Sequence, residues 1–188
     1  MRRAVPAAKA LASALLVFAL TGCGGSGGHV ERGGPLACPD CQGDASMPMD
    51  IGERGTFDAA TLQNRGKAPA VLERVAYLHR TPGMRLLGPL AARDSHVGLI
   101  REYPPRHDVG KVDDLPGYEV PTYHGIEDDI EILVGVSPQR NGSFSYDGLE
   151  LYYRVGKKHY VTTFDEGLRV CAPRSFPQSR CQPPPSIR

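Results

Sequence analysis

Four cysteines are the residues of this sequence best suited to chemistry. Cys38 and Cys41 are separated by a Pro-Asp dipeptide, and Cys171 and Cys181 lie near the end of the 188-residue chain. A Cys-x-x-Cys pair can be a redox couple when its first thiol is made acidic at a helix N-terminus. Here the pair lies in a Gly- and Pro-rich leader ahead of an all-β pattern, so we interpret it as a structural disulfide.

The sequence does not fix how these cysteines pair. Four cysteines allow three connectivities. Pairing Cys38 with Cys41 and Cys171 with Cys181 closes two small loops, whereas the cross pairings join the segment before the first strand to the segment after the last. The chain has five cysteines, and the four that remain when Cys23 is set aside form an even set, which favours disulfides in an oxidising compartment. Spacing does not report the Cα separation that a disulfide needs.

Two methionines near the first cysteine pair suggest a metal site as the alternative. Met47 and Met49 follow Cys41 closely, and soft thioethers and thiolates together suit Cu(I). The six histidines, at positions 29, 79, 96, 107, 124 and 159, form no His-x-His, His-x-Met or His-x₃-His spacing. We therefore assign no cofactor, and keep an envelope copper-handling protein using Met47, Met49, Cys38 and Cys41 as the alternative function.

Catalytic and calcium-binding patterns are missing from the sequence. The acidic run at 127–131 has no Asp-x-Asp-x-Asp-Gly spacing for calcium. Ser137, Ser143 and Ser145 lack the Gly-x-Ser-x-Gly elbow of a serine hydrolase. We therefore expect a protein that is not an enzyme.

Aromatic residues between 144 and 164 offer a candidate recognition face. Tyrosines combine a large contact area with a polar tip. Tyr153 and Tyr160 alternate with apolar residues and are expected in the core, whereas Tyr152 points the other way. We name Tyr152 and Tyr146 as candidate binding residues.

Alternating apolar residues predict a β-rich domain. The run from Asp129 to Val136 alternates as a half-buried strand does. Residues 149–155 and 160–164, separated by a break at 156–158, predict a hairpin. Further strands are expected at 56–62, 70–78, 84–90, 97–102 and 168–171, and Asn141-Gly142 is a turn signal. Seven or eight short strands predict an all-β antiparallel sandwich, with a long excursion over 103–123 that holds at most one edge strand.

One stretch supports the same fold by resemblance. From Leu62 to Leu78 the chain reads Asn-Arg-Gly, then a proline, then an apolar run. It resembles the turn in immunoglobulin-like modules of bacterial surface proteins, where one strand ends in Asn-x-Gly and the next begins after a proline. The resemblance implies an immunoglobulin-like β-sandwich and says nothing about chemistry.

The first residues read as an export signal. Arg2, Arg3 and Lys9 precede an apolar run over 10–20, which is about half of the ~20 residues a spanning helix needs. The sequence Leu20-Thr21-Gly22-Cys23 is similar to the lipobox of bacterial lipoproteins. That resemblance implies cleavage before Cys23, lipidation of its sulfur, and attachment to the membrane. The Ala, Gly, Pro and Arg bias favours a high-GC genome of actinobacterial type, with the anchor on the extracytoplasmic face.

The domain organisation and function follow from these features. We expect a helical signal peptide over 1–22, a lipidated flexible tether over 23–50, the sandwich over 51–172 and a Pro-rich tail over 173–188. Loss of the three basic signal residues from a chain of net charge +1 leaves −2, and no basic stripe predicts nucleic-acid binding. We predict a non-enzymatic binding module at the cell envelope, held by membrane lipid through acylated Cys23 and contacting an envelope protein or glycan.

Overall fold

The chain folds as an all-β sandwich. A computed structural model describes residues 30–93, 98–106 and 109–181, which contain thirteen strands and two short 3₁₀ turns. The strands are β1 (Val30–Arg32), β2 (Leu36–Ala37), β3 (Gln42–Pro48), β4 (Gly55–Asn64), β5 (Ala70–Leu78), β6 (Met84–Arg93), β7 (Leu99–Ile100), β8 (Lys111–Asp114), β9 (Glu119–Val120), β10 (Ile130–Pro138), β11 (Gly142–Tyr146), β12 (Gly148–Val155) and β13 (Lys158–Ala172). The 3₁₀ turns span Ile126–Asp128 and Gln178–Arg180.

The strands form two facing sheets. The first has the order β1-β13-β12-β5-β9, with β3 and β11 also paired to β13. The second has the order β2-β4-β10-β6-β8, with β7 also paired to β4. This arrangement confirms the predicted β-sandwich. The described strands outnumber the seven or eight expected because β1, β2 and β9 have only two or three residues, too few for alternation to mark them, and because β3, β8 and β11 were not predicted either.

The predicted hairpin is present as β12 and β13. Its register pairs Leu149 with Phe164 and Val155 with Lys158, and Gly156 has a φ of +59° in the turn. The strand expected at 168–171 is the last part of β13 rather than a separate element. Of the strand expected at 97–102, only Leu99–Ile100 is extended among the residues described there.

The long strand β13 organises the first sheet. Its first half pairs with β1 and β12, and its second half pairs with β3 and β11. The pairings with β1 and β3 are parallel, which differs from the all-antiparallel arrangement expected. The segment 30–48, which the sequence placed in the flexible tether, therefore supplies three strands. Its Gly and Pro content hid them, because their stabilisation comes from pairing with distant residues.

The central strand β10 is buried on both faces, so the expected half-buried alternation is wrong. All nine of its residues are buried, Glu131 included. Its outer face is covered by Ile100, Tyr103 and Val109, which pack with Leu133 in a small outer cluster. The Tyr103 ring lies so close to Gly135 that a Cβ there would collide with it.

The segment expected to be an excursion is therefore packed structure. It covers β10 and then forms β8 and β9, two edge strands where at most one was predicted.

Asn64 behaves as the turn motif predicts: its side chain accepts from Gly66 N at 2.9 Å and donates to Ala68 O at 3.0 Å and Val120 O at 3.1 Å. This turn carries the chain from the second sheet at β4 to the first sheet at β5.

Two apolar clusters fill the space between the sheets. The first includes Leu62, Leu72, Leu115, Ile130 and Tyr153, and the second includes Met49, Met84, Val134, Tyr146 and Leu168. Each cluster draws residues from both sheets, as sandwich packing requires.

Candidate functional site

A cavity lies along the edge of the sandwich formed by β8 and β9. It is an open cleft of about 700 Å³. We call it the edge cleft, and its lining residues are Arg93, Lys111, Asp113, Asp114, Pro116, Gly117, Tyr118, Glu119 and Glu127. Its size falls within the range of small-ligand sites in proteins, ~300–1,000 Å³.

The edge cleft exists because one segment spans both sheets. Residues 111–120, which we call the clasp, pair with β6 of the second sheet through β8 and with β5 of the first sheet through β9. Between them, Gly117 N donates to Leu72 O and Leu72 N donates to Tyr118 O, both at 2.8 Å. Leu115 and Val120 are fully buried in the first core cluster, so the clasp is fixed from the inside while its polar face lines the cleft.

Charge in the edge cleft is mixed, with an excess of carboxylates. Two of the lining residues are cationic and four are acidic. Arg93 Nη2 lies 2.9 Å from Asp128 Oδ1 and its Nε donates to Glu127 O at 3.0 Å. Lys111 Nζ lies 3.0 Å from Asp113 Oδ2. Both cations are thus engaged, and the excess negative charge is suited to a ligand that carries basic groups.

A second, smaller cavity lies at the opposite edge. It has a volume of about 130 Å³. We call it the disulfide pocket; it is lined by Cys38, Asp40, Cys41, Asp58, Ala60, Thr61 and Glu166. The strand order puts β2 and β1 at the edge that holds this pocket, and β8 and β9 at the edge that holds the cleft.

Glu166 lines the disulfide pocket with a carboxyl group whose pKa is raised. Burial, and then the negative charges of Asp58 and Asp44, raise its pKa to about 7. The pKa of Asp44 is also raised, by burial and by Asp147, against the opposing effects of Arg169 and the Gly167 N–H. Three acidic side chains from β3, β4 and β13 therefore share one partly buried region, and protonation of Glu166 at neutral pH relieves their repulsion.

The two tyrosines named from the sequence lie in different environments. Tyr152 is half-buried on the outer face of the first sheet, with the Arg74 guanidinium 3.3 Å above its ring and its hydroxyl donating to Glu150 at 2.9 Å. Tyr146 is fully buried in the second core cluster, so it is not part of an exposed recognition face. The expectation for Tyr146 fails because β11 pairs with β13 and turns its aromatic residues into the core. Tyr153 is buried as expected, and Tyr160 packs partly buried against it.

The cysteines pair locally. Cys38 is bonded to Cys41 with a Cα separation of 5.4 Å, and Cys171 to Cys181 with a separation of 5.9 Å. This resolves the connectivity that the sequence left open. The second disulfide also ties the start of the predicted tail, through Cys181, to the end of β13.

The groups named for copper are not brought together. Met47 and Met49 are buried in the second core cluster, whereas Cys38 and Cys41 are oxidised and pack with the first. Across the ranges that the structure describes, no group of three or more His, Cys, Asp or Glu side chains is arranged to hold a metal ion. Thioethers packed among apolar side chains stabilise the core rather than face a ligand.

The proposed lipidation site, Cys23, and the predicted signal helix fall outside the described residues. Within the described ranges, no helix has the length and apolar character needed to cross a bilayer.

Comparisons with known proteins give no family. No protein-family model matches the sequence, and no curated protein is significantly similar to it. Among solved structures, the chain is similar to the Vibrio cholerae VesB protease at 10% identity and a TM-score of 0.36, over 73% of this chain and 32% of the protease. The match thus spans about a third of the protease chain, and at this TM-score it carries no inference about activity.

Sequence reasoning missed both cavities. One feature of the sequence could have indicated the edge cleft. Pro116-Gly117 is a turn dipeptide between two short polar runs, and it marks a chain reversal within the segment 103–123. Nothing in the sequence links Glu166 to Cys41, because their proximity depends on the parallel pairing of β3 with β13, which sets Asp165 opposite Gln42.

Proposed function

We propose that this chain is a lipid-anchored, extracytoplasmic binding module, and that the edge cleft is its binding site. The observation that carries the proposal is the edge cleft itself, which is open, has a volume of about 700 Å³, and is lined by a segment whose backbone is hydrogen-bonded to Leu72. A β-sandwich that presents a fixed polar cleft at its edge is suited to recognition, because little conformational entropy is lost on binding.

The partner that best fits the cleft is an envelope protein that presents lysine or arginine side chains. Asp114 and Glu119 are exposed on the clasp, and the four lining carboxylates outnumber the two engaged cations. Charge complementarity of this kind gives specificity and speeds association, and it weakens as salt is added.

Location at the cell surface is supported by the disulfides and by the leader. Two disulfides are expected of a protein that folds in an oxidising compartment. The lipobox-like sequence ending at Cys23 would supply the anchor. Cys23→Ser should abolish labelling by a fatty-acid analogue and release the protein from the membrane fraction; continued membrane association of this variant would contradict the anchor.

The binding site can be tested by affinity capture with the immobilised full-length protein. Detergent-solubilised envelope from the producing cells is applied to the wild type, to an Asp114→Lys/Glu119→Lys variant, and to Glu31→Lys as a matched charge reversal on β1 at the opposite edge. We expect one protein to be retained by wild type and Glu31→Lys, to be lost with the double variant, and to elute as salt is raised. Equal retention by all three would contradict the cleft, and capture that survives protease digestion of the envelope would identify a glycan instead.

A further inference from the structure

We propose that the Cys38–Cys41 disulfide is a thiol–disulfide exchange site, with Glu166 as its proton-transfer group, that reacts with an exposed dithiol of another extracytoplasmic protein. This activity is separate from binding in the edge cleft, since the disulfide pocket lies at the opposite edge of the sandwich.

The disulfide pocket is lined by both cysteines, and Cys38 is the more exposed of the two. Both cysteines line an open cavity, and the two residues between them, Pro39 and Asp40, are exposed. Cys38 is half-buried and Cys41 is buried. An incoming thiolate therefore meets Cys38 first, and Cys41 is the leaving sulfur. Accessible disulfides are the ones that exchange, because the thiolate must approach along the sulfur–sulfur axis.

The second disulfide, Cys171–Cys181, differs from Cys38–Cys41 in burial and in loop length. Cys171 and Cys181 are both buried, and Cys171 Sγ lies 3.7 Å from Ser143 Oγ. The Cys38–Cys41 loop is also shorter, with a sequence separation of 3 against 10. The strands on either side of it, β2 and β3, are held by pairing with β4 and β13, so opening the short loop releases little structure.

A carboxyl group with the right proton affinity lines the same cavity. Glu166 lies opposite Gly43 in the β3–β13 register, and a Cβ on Gly43 would be 3.6 Å from its Oε1. Burial with Asp58 and Asp44 raises the pKa of Glu166 to about 7, so it is present in both protonation states at neutral pH. The groups around it are Asp58 on β4, Asp44 on β3, Tyr146 on β11 and, acting on Asp44, Arg169 on β13.

The exchange conserves electrons and protons. A partner thiolate attacks Cys38 Sγ, forming a mixed disulfide while the Cys38–Cys41 bond breaks, and the Cys41 sulfur takes the electron pair and the proton of Glu166. The partner's second thiol gives its proton to the Glu166 carboxylate and attacks the partner's own sulfur in the mixed disulfide. Cys38 leaves as a thiolate. Two electrons pass from the partner dithiol, which becomes a disulfide, to this chain.

The test uses the folded full-length protein with dithiothreitol as the dithiol, followed by alkylation and peptide mapping of each cysteine. We expect Cys38 and Cys41 to become labelled on the order of a hundredfold faster than Cys171 and Cys181, with an unchanged circular dichroism spectrum. Equal labelling rates, or labelling only on unfolding, would overturn the proposal.

The role of Glu166 is tested by its pH dependence. Protonated Glu166 donates to the leaving sulfur, and ionised Glu166 repels the attacking thiolate. The ratio of the wild-type rate to the Glu166→Gln rate should therefore fall about tenfold as the pH rises through about 7. Asp165→Asn, an exposed neighbour on β13, is the matched control and should follow the wild type. A ratio independent of pH would remove Glu166 from the mechanism even if the disulfide exchanges.

Discussion

The two edges of the sandwich place acidic side chains in different ways. At the edge cleft, Asp114 and Glu119 are exposed on a clasp fixed by buried apolar residues. At the disulfide pocket, Glu166 and Asp44 are partly buried, and both have raised pKa values. Exposed carboxylates can attract a basic partner. Carboxylates crowded away from water hold protons instead and can transfer them. One fold thus separates a surface for binding from a pocket for proton chemistry.

The largest expected effect is on the clasp. Leu115 is fully buried in the first core cluster. Leu115→Ala should lower the free energy of unfolding by about 3 kcal/mol and weaken capture of a cleft partner, whereas Leu36→Ala beside the disulfide pocket should destabilise the fold without that loss of capture. Urea titration measures the first effect. A change under ~1 kcal/mol for Leu115→Ala would mean that the clasp is not fixed by its core contacts.

The next largest effect on stability is expected from removal of the disulfides. The entropic model gives about 3 kcal/mol for the longer Cys171–Cys181 loop and about 2 kcal/mol for the Cys38–Cys41 loop. Cys171→Ala/Cys181→Ala should therefore lower stability more than Cys38→Ala/Cys41→Ala in thermal unfolding. The reverse order would show that the Cys38–Cys41 loop has a larger structural role than its exposed position indicates.

A smaller effect is expected in the pH dependence of stability, to which the carboxylates of the two edges contribute differently. Because the pKa of Glu166 is raised to about 7 in the folded state from 4.5, the folded protein binds its proton more tightly than the unfolded chain. Stability should fall as the pH rises from about 4.5 to 7, by on the order of 1 kcal/mol once solvent screening of this half-exposed group is allowed for. Glu166→Gln should remove this slope and Glu119→Gln should retain it. An unchanged slope in Glu166→Gln would contradict the assignment.

The smallest effect concerns two buried hydroxyls. The Tyr153 hydroxyl donates to Gly33 O at 2.9 Å, so Tyr153→Phe should cost about 1 kcal/mol. Among the described residues the Tyr146 hydroxyl has no hydrogen-bond partner, so Tyr146→Phe should leave stability unchanged or raise it slightly. Chemical denaturation of both variants measures the difference, and a clear loss in Tyr146→Phe would reveal a partner for that hydroxyl.

The sequence predicted the parts of the fold that depend on local pattern. Alternation placed the β12–β13 hairpin and the limits of β5, and the Asn-Arg-Gly motif placed the turn at Asn64, because each depends on residues near in sequence. The count of cysteines predicted disulfides but could not choose the pairing, which depends on a Cα separation that only the fold sets.

The sequence could not predict what depends on distant pairing. Residues 42–48 form a strand because β13 lies alongside them, and their own composition gives no such signal. The burial of Glu131 and Leu133 depends on a segment some thirty residues earlier that covers β10. Both cavities arise in the same way, since each is lined by elements that are far apart along the chain.

Binding of an envelope partner in the edge cleft can be measured by site-specific photo-crosslinking in living cells. A photoreactive amino acid replaces Glu119 in the cleft or, as the control, Glu31 on β1. We expect a discrete higher-mass adduct from position 119 that is absent from position 31 and is lost when Asp114→Lys is added. No adduct at position 119, or the same adduct from both positions, would contradict it.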